Sequence, residues 1–249
     1  MTHQDRAAFF VEDSVALGAQ IALSESDAQH VAVLRLGVGE RVGLRDGAGQ
    51  IASGTLVRLG RRNALVEVDH VSDIAAPPPI HLLVPVADRE RMLWLAEKAA
   101  ELNVASWRPV LWHRSRSVSP RGDGPTFRNK VRSRMISALL QSRSAWLPEI
   151  FPEATHDRAI AASPTGARMV LERGGSPVGT MNVAAPAVIA VGPEGGFEAP
   201  ELTALETAGF AAVSIGDSVL RFETAAVAGI AVARSILRGA QQTTGDSHG

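Results

Sequence analysis

The sequence predicts an α/β protein in two parts: a small, mostly β module over residues 1–76 and a larger unit with a mostly parallel sheet over residues 80–240. Three observations carry this. Ala75-Ala76-Pro77-Pro78-Pro79 is a stiff, extended spacer. Before it, short alternating stretches are punctuated by turn residues. After it, apolar strand-like runs alternate with segments of helical period.

In the first part, residues 26–36 have helical spacing and meet a stop at Gly37. Residues 41–45 lead into Asp46-Gly47, a hairpin-type turn. Residues 51–57 and 64–68 follow as strands, with Ala64, Val66 and Val68 on one face and Leu65, Glu67 and Asp69 on the other. The result is a small β-barrel or curled sheet. Such modules often bind RNA, although a fold by itself does not establish a function.

In the second part, residues 80–86 form a buried-type strand. Residues 89–102 are an amphipathic helix with Met92, Leu95, Ala99 and Leu102 on its apolar stripe. Residues 107–112 read as a strand and 114–125 as a basic loop. Thr126 then caps a helix to about residue 142, whose stripe is Phe127, Val131, Met135 and Ala138. Further strands are expected at 168–171, 187–191 and 212–215, separated by helices near 155–162 and 200–208. The last helix, 223–237, is apolar nearly all round until Arg234, which implies burial by a core or by a second subunit. Residues 241–249 read as a frayed tail.

Composition narrows the function. Hydrophobic residues make up 45% and charged residues 20%, enough for a packed core and too little charge for wholesale disorder. The absence of Cys excludes disulfides, thiol catalysis and Cys-ligated metal centres. The seven His show no ligand spacing, so no metal is expected. Met1 to Arg6 lacks a signal-peptide layout, and the longest charge-free stretch, 174–193, is broken by Gly and Pro. A soluble cytoplasmic protein with no membrane partner is the expectation.

The net charge of −1 conceals an uneven distribution: −3 over residues 1–76, +6 over 77–150 and −4 over 151–249. Residues 108–143 hold nine basic side chains and the single acid Asp123. That is a candidate polyanion footprint, with Arg114, Arg116, Arg121, Arg128, Lys130, Arg132 and Arg134 as the RNA-binding candidates. Arg128/Arg132 and Lys130/Arg134 are like-charged i,i+4 pairs that destabilise an isolated helix, and an anionic partner would make sense of them.

Two glycine turns follow strands. Val188 to Val191 runs directly into Gly192-Pro193-Glu194-Gly195-Gly196-Phe197, and Ile215-Gly216-Asp217-Ser218-Val219-Leu220-Arg221 opens the final helix. Strand C-termini are where α/β proteins bind ligands, and two such turns feeding one pocket make a site. Neither is G-x-G-x-x-G or a P-loop, so dinucleotide and nucleoside-triphosphate sites lose support. A tight turn without a ligand remains the alternative for each.

These residues resemble a known family. Ile189 to Phe197, then Val213-Ser214-Ile215-Gly216-Asp217, then Leu220-Arg221-Phe222-Glu223-Thr224-Ala225 are similar to the three signature blocks of the RsmE-type rRNA methyltransferases, members of the SPOUT or α/β-knot class. His30 to Arg35, Val38-Gly39-Glu40 and Asp46-Gly47 resemble that family's PUA-like N-terminal barrel. Glu97 to Val104 resembles its first long helix, and Ser137 to Ser142 with Pro148-Glu149-Ile150 the segment after the basic helix. The likeness covers nearly the whole chain in order. It departs at Asn103 and Arg143, where the family commonly has Gly, at Asp88, where a basic residue is usual nearby, and at Phe222, where Thr is usual.

The resemblance implies a homodimer with a trefoil-knotted C-terminal domain that binds S-adenosylmethionine and methylates uracil N3 of one uridine in 16S rRNA of the small ribosomal subunit. Carried over by motif, Gly192, Pro193, Glu194, Gly195 and Gly196 would pass beside the cofactor, with Ile215, Gly216, Leu220 and Arg221 as the other wall and Leu171 as a further contact. Uracil N3–H must lose its proton before the nitrogen attacks. Arg221 would then stabilise the anion and Glu223 or Glu194 accept the proton, though either carboxylate can equally serve the local turn or helix start. The competing readings are a non-catalytic RNA-binding protein, which would not need the two glycine turns, a SPOUT methyltransferase with another RNA, and an NAD-type oxidoreductase, which should show a dinucleotide fingerprint.

Overall fold

The computed structural model describes residues 5–115 and 125–245. The chain divides into two compact units, one of residues up to Ala76 together with Leu139–Leu147, the other of Pro77–Ala138 with the residues from Pro148 on.

The first unit contains β1 (Ala8–Phe10), β2 (Gln20–Leu23), α1 (Glu25–Val33), β3 (Arg41–Arg45), β4 (Gln50–Leu59) and β5 (Ala64–Asp73). Its sheet runs in the order β1-β3-β4-β5-β2, antiparallel except that β1 lies parallel to β3. Two irregularities in the β4–β5 pairing, at Ser53/Gly54 and Leu56/Arg58, coil the strands around one core that includes Phe9, Val31, Leu44, Leu56 and Val66. Ala64, Val66 and Val68 are buried while Glu67 and Asp69 are exposed, as their period of two requires. The short strands β1 and β2 escape sequence reading because three or four residues give no period to count.

The sequence assigns Leu139–Leu147 to the larger domain, but this segment clusters with the first unit. Leu147 N–H donates to Gly47 O at 2.8 Å, Gly49 N–H to Ala145 O at 2.9 Å and Trp146 Nε1–H to Ile74 O at 3.0 Å. The hairpin turn read from Asp46-Gly47 is thus a docking point for a segment a hundred residues later.

The second unit alternates as predicted: β6 (Ile80–Pro85), α2 (Arg89–Glu101), β7 (Ser106–Leu111), α3 (Pro125–Ser142), β8 (Glu149–Ile150), β9 (Ala154–Thr155), α4 (His156–Ala161), β10 (Ala167–Pro177), β11 (Ala187–Val191), α5 (Ala199–Thr207), β12 (Ala211–Ser214) and α6 (Phe222–Gly245). The sheet order is β12-β10-β11-β6-β7-β8, with β9 beside β7, and every pairing is parallel. All five residues of β11 are buried, which fits a strand covered on both faces. The stripe Phe127, Val131, Met135 and Ala138 of α3 is buried too.

Three details differ from the sequence reading. Helix α1 ends before Gly37, because Arg35 turns into the left-handed region at φ 56°. Thr126 does not cap α3, because it lies inside the helix, which is already helical at Pro125, the first described residue of that segment. The tail expected from residue 241 is helical to Gly245, and only 246–249 lie outside the described residues. Along α6 the buried residues include Phe222, Ala226, Ile230, Ala233 and Leu237, one stripe at helical spacing. Arg234 closes that packing: its guanidinium donates to Pro78 O at 2.5 Å, Leu102 O at 3.2 Å and Asn103 O at 2.5 Å. Burial pushes its pKa down from the usual arginine value. No helix among the described residues is long and apolar enough to cross a membrane.

Candidate functional site

Parallel strands put their carboxyl ends on one edge of the sheet, and β12, β10 and β11 are neighbours. The turns leaving those three strands therefore meet. They enclose a cavity of about 410 Å³, within the range of small-molecule sites. Its lining includes Leu171 from β10, Gly192 to Phe197 after β11, Ile215, Gly216 and Leu220 after β12, and Phe222 and Ala225 from α6. Of the ten cofactor candidates, nine line it: Leu171, Gly192, Pro193, Glu194, Gly195, Gly196, Ile215, Gly216 and Leu220. Arg221 does not, because it lines the hollow next door.

Local chemistry shapes each wall. Pro193 O accepts from Gly196 N–H at 2.8 Å, closing a tight turn whose last residue has φ 74° and so favours glycine. The β10 wall comes from an excursion the sequence did not reveal. Leu171 and Ser176 both register with Val213, so Glu172 to Gly175 loop out and bring Glu172 and Arg173 to the cavity. Gly175 permits the return, since a Cβ there would lie 2.4 Å from the backbone of Ala212 and Val213. Leu171, Val191, Val213, Ile215 and Leu220 supply apolar walls, and at Gly216 an added Cβ would meet nothing within 4 Å. The bare backbone with apolar sides fits a flat heterocycle with a polar tail.

Arg114 belongs to this loop. Its Nη1 donates to Gly195 O at 2.8 Å and its Nε lies 3.5 Å from Glu198, so it holds the turn rather than projecting freely as an RNA contact. Behind the loop, Trp112 and Phe197 are buried edge-to-face at 4.8 Å, which gives both a packing role.

The hollow next door is lined by Glu90, Arg91, Trp94, Arg221, Glu223 and Thr224. Successive residues at the α6 start alternate, Leu220 and Phe222 toward the cavity, Arg221 and Glu223 toward the hollow. Arg91 joins the two candidate proton acceptors: its Nη1 lies 3.2 Å from Glu194 Oε1 and its Nε 3.8 Å from Glu223 Oε1. The Glu223 side chain is 10% exposed, and its Oε2 is buried without a hydrogen-bond partner. Sequence reasoning missed Arg91 and Trp94. The available signal was a tryptophan off the apolar stripe of α2, where it stands 44% exposed.

Of the RNA-binding candidates, Arg116 and Arg121 lie outside the described residues. Arg128, Lys130 and Arg134 are exposed along α3, Arg132 is half-buried, and Arg134 comes 3.8 Å from Glu97. One His/carboxylate group is drawn together that spacing could not reveal: His113, His156 and Glu201, with ligand atoms within 4.8 Å. Glu201 is fully buried, and its oxygens already accept from Glu198 N–H at 2.7 Å and His113 N–H at 2.7 Å. That carboxylate acts as a helix cap for α5.

Comparison with known proteins agrees with this architecture. Residues 75–234 match the RNA methyltransferase domain family and residues 23–69 the RNA methyltransferase PUA domain family. The ribosomal RNA small subunit methyltransferase E of Mycobacterium bovis is 27% identical over 88% of this chain and 87% of its own. The crystal structure of the Neisseria gonorrhoeae ribosomal RNA small subunit methyltransferase E bound to S-adenosylmethionine superposes with a TM-score of 0.84, at 26% identity, over 92% of this chain and 97% of that one. A putative methyltransferase from Legionella pneumophila, also with bound S-adenosylmethionine, gives 0.85 at 26% identity over the same shares.

Proposed function

The chain belongs to the family of RNA methyltransferases with a PUA domain, and on that premise we propose that it methylates uracil N3 of one uridine in 16S rRNA of the small ribosomal subunit, using S-adenosylmethionine. The observation that carries the reading is the convergence of three strand-end turns on one cavity, with Arg221 and the Arg91-paired Glu223 lining the hollow beside it. A cytoplasmic homodimer completes the proposal, and light scattering of the purified protein tests the dimer.

When bound, S-adenosylmethionine supplies a methyl group on a positively charged sulfur. The chain's residues do the rest. Gly192 to Gly196, Gly216, Leu171, Ile215 and Leu220 would hold the cofactor through backbone groups and apolar contact. Holding nucleophile and electrophile close and aligned is the larger part of such a displacement. Glu223 would take the N3 proton, and Arg221, lining the same hollow, would stabilise the charge left on the uracil oxygens. Glu194, tied to the same Arg91, is the alternative acceptor. N3 lies on the pairing edge, so the base must be unpaired or flipped to reach the site.

The test uses small subunits from a strain lacking this gene, incubated with the protein and S-adenosylmethionine. A methyl on N3 blocks pairing, so the product appears as one new reverse-transcription stop at a uridine, with 3-methyluridine confirmed by mass spectrometry. Tight cofactor binding without that stop would move the substrate elsewhere and overturn the proposed target.

A further inference from the structure

We propose that Glu172 and Arg173 clasp the amino-acid tail of S-adenosylmethionine, Arg173 holding its carboxylate and Glu172 its ammonium group. The proposal rests on the cofactor reading above and deepens it, since the contacts assigned there are backbone groups and apolar side chains. Strand β10 supplies the reason to look at these two residues. Leu171 and Ser176 register with the same residue of β12, Val213, so the chain between them leaves the sheet and returns. Such an excursion disrupts the ladder and re-aims side chains. Here it sets Glu172 and Arg173 at the wall of the cavity.

The charges of the cavity single this pair out. Glu194 is the one other charged residue on the described wall, and Arg91, from the hollow next door, already holds it at 3.2 Å. Glu172 and Arg173 have no ion pair or side-chain hydrogen bond among the described residues, not even with each other. Glu172 is half-buried and Arg173 exposed, so both can be reached by a ligand.

The cofactor divides as the cavity does. Its adenine is flat, and Leu171, Val191, Val213 and Ile215 offer apolar walls for such a ring. Its tail carries one carboxylate and one ammonium group, for which those walls provide nothing. Taking charged groups out of water without partners is costly. A guanidinium meets a carboxylate with two parallel N–H donors, and a carboxylate accepts from an ammonium. One acid and one base, adjacent in the chain and uncommitted, therefore complement the tail.

The experiment is calorimetric titration of the full-length protein with three probes. S-Adenosylhomocysteine has the whole tail and an uncharged sulfur, its decarboxylated form keeps only the ammonium, and methylthioadenosine has no tail. S-Adenosylhomocysteine is expected to bind about tenfold or more tightly than the decarboxylated form, and that form about tenfold or more tightly than methylthioadenosine, as charge-assisted hydrogen bonds give. Arg173→Gln should bring S-adenosylhomocysteine down to the affinity of the decarboxylated form. Glu172→Gln should weaken both tailed probes alike. Methylthioadenosine should bind both variants as it binds the wild type, which shows the cavity to be intact. Equal affinity for S-adenosylhomocysteine and methylthioadenosine overturns the proposal. So does an Arg173→Gln protein that still prefers the carboxylate, or a Glu172→Gln protein with unchanged affinity for the tailed probes. A fall in methylthioadenosine affinity in either variant also overturns it, because the excursion would then serve the adenosine wall. Binding of none of the probes to the wild type overturns the cofactor reading itself, so the two failures are distinguishable.

Discussion

Glu223 shows how a single residue can be legible in type and illegible in role. An acid in the first turn of a helix is explained by the helix dipole alone. Its unpartnered Oε2 and the Arg91 guanidinium beside Oε1 appear only when α2 and α6 are brought together. Glu223→Gln keeps the volume and removes the proton acceptor. It is expected to lower kcat about a hundredfold or more while the cofactor Kd stays within about twofold, as rapid-quench assays and calorimetry would show. An unchanged kcat would pass the role of proton acceptor to Glu194. Gly216 tests the cofactor wall instead. A Cβ there has open space around it, so Gly216→Val narrows the cavity without straining its neighbours. Cofactor affinity should fall about tenfold or more, roughly 1.4 kcal/mol, with little change in Tm. Gly195 is a poorer probe, because its Cβ would press on Arg114 Cβ at 3.2 Å.

At the scale of elements, the departures from the family pattern acquire a physical reading. Four helices end in the same motif, in which the chain turns left-handed and two backbone N–H groups fold back. After α1, Arg35 N–H donates to Ala32 O and Leu36 N–H to Val31 O. The ends of α2 at Asn103, α3 at Arg143 and α5 at Gly209 repeat the pattern, at φ 54°, 59° and 82°. Glycine is the unstrained residue there, which is why Asn103 and Arg143 fall where a Gly is usual. Arg35→Gly should stabilise the protein by about 0.5–1 kcal/mol, a rise of roughly 1–4 °C in Tm. A fall would mean that the exposed Arg35 side chain contributes more than its backbone costs. Asp88 likewise has a structural task, accepting from Arg91 N–H at 3.1 Å as the cap of α2. The buried cap Glu201 gives a pH signature. Burial alone would raise its pKa, but hydrogen bonds from Glu198 and His113 hold it below the usual 4.5. A depressed carboxylate contributes stability above its unfolded pKa and loses it as pH falls through the folded value. Glu201→Gln should therefore flatten the loss of Tm on acidification below about pH 4.5, and an unaltered acid limb would remove Glu201 from that role.

For the whole molecule, the charge distribution makes a prediction that no single residue does. Replacing Arg128, Arg132 and Arg134 by Gln should weaken RNA binding and shallow the plot of log K against log salt, by about 0.7–0.9 for each phosphate that is no longer neutralised. Cofactor affinity should not move, and an equal fall in both would show that the α3 cations serve the fold. The sequence by itself determined the division at the proline run, the alternation of strand and helix, and the two glycine turns. Those features are local: period, turn chemistry and spacing are written in consecutive residues. Tertiary structure decided the rest. The docking of Leu139–Leu147 on the β3–β4 turn, the looping out of Glu172 to Gly175 and the meeting of Arg91 with both Glu194 and Glu223 each join residues far apart in the chain. No local pattern encodes such pairings, because the parallel sheet places β12 beside β10 and β11 beside β6, strands that are not consecutive in sequence. The site lies where those strands end. Its glycines could be read in advance, while the partners of its charged side chains were fixed only by packing.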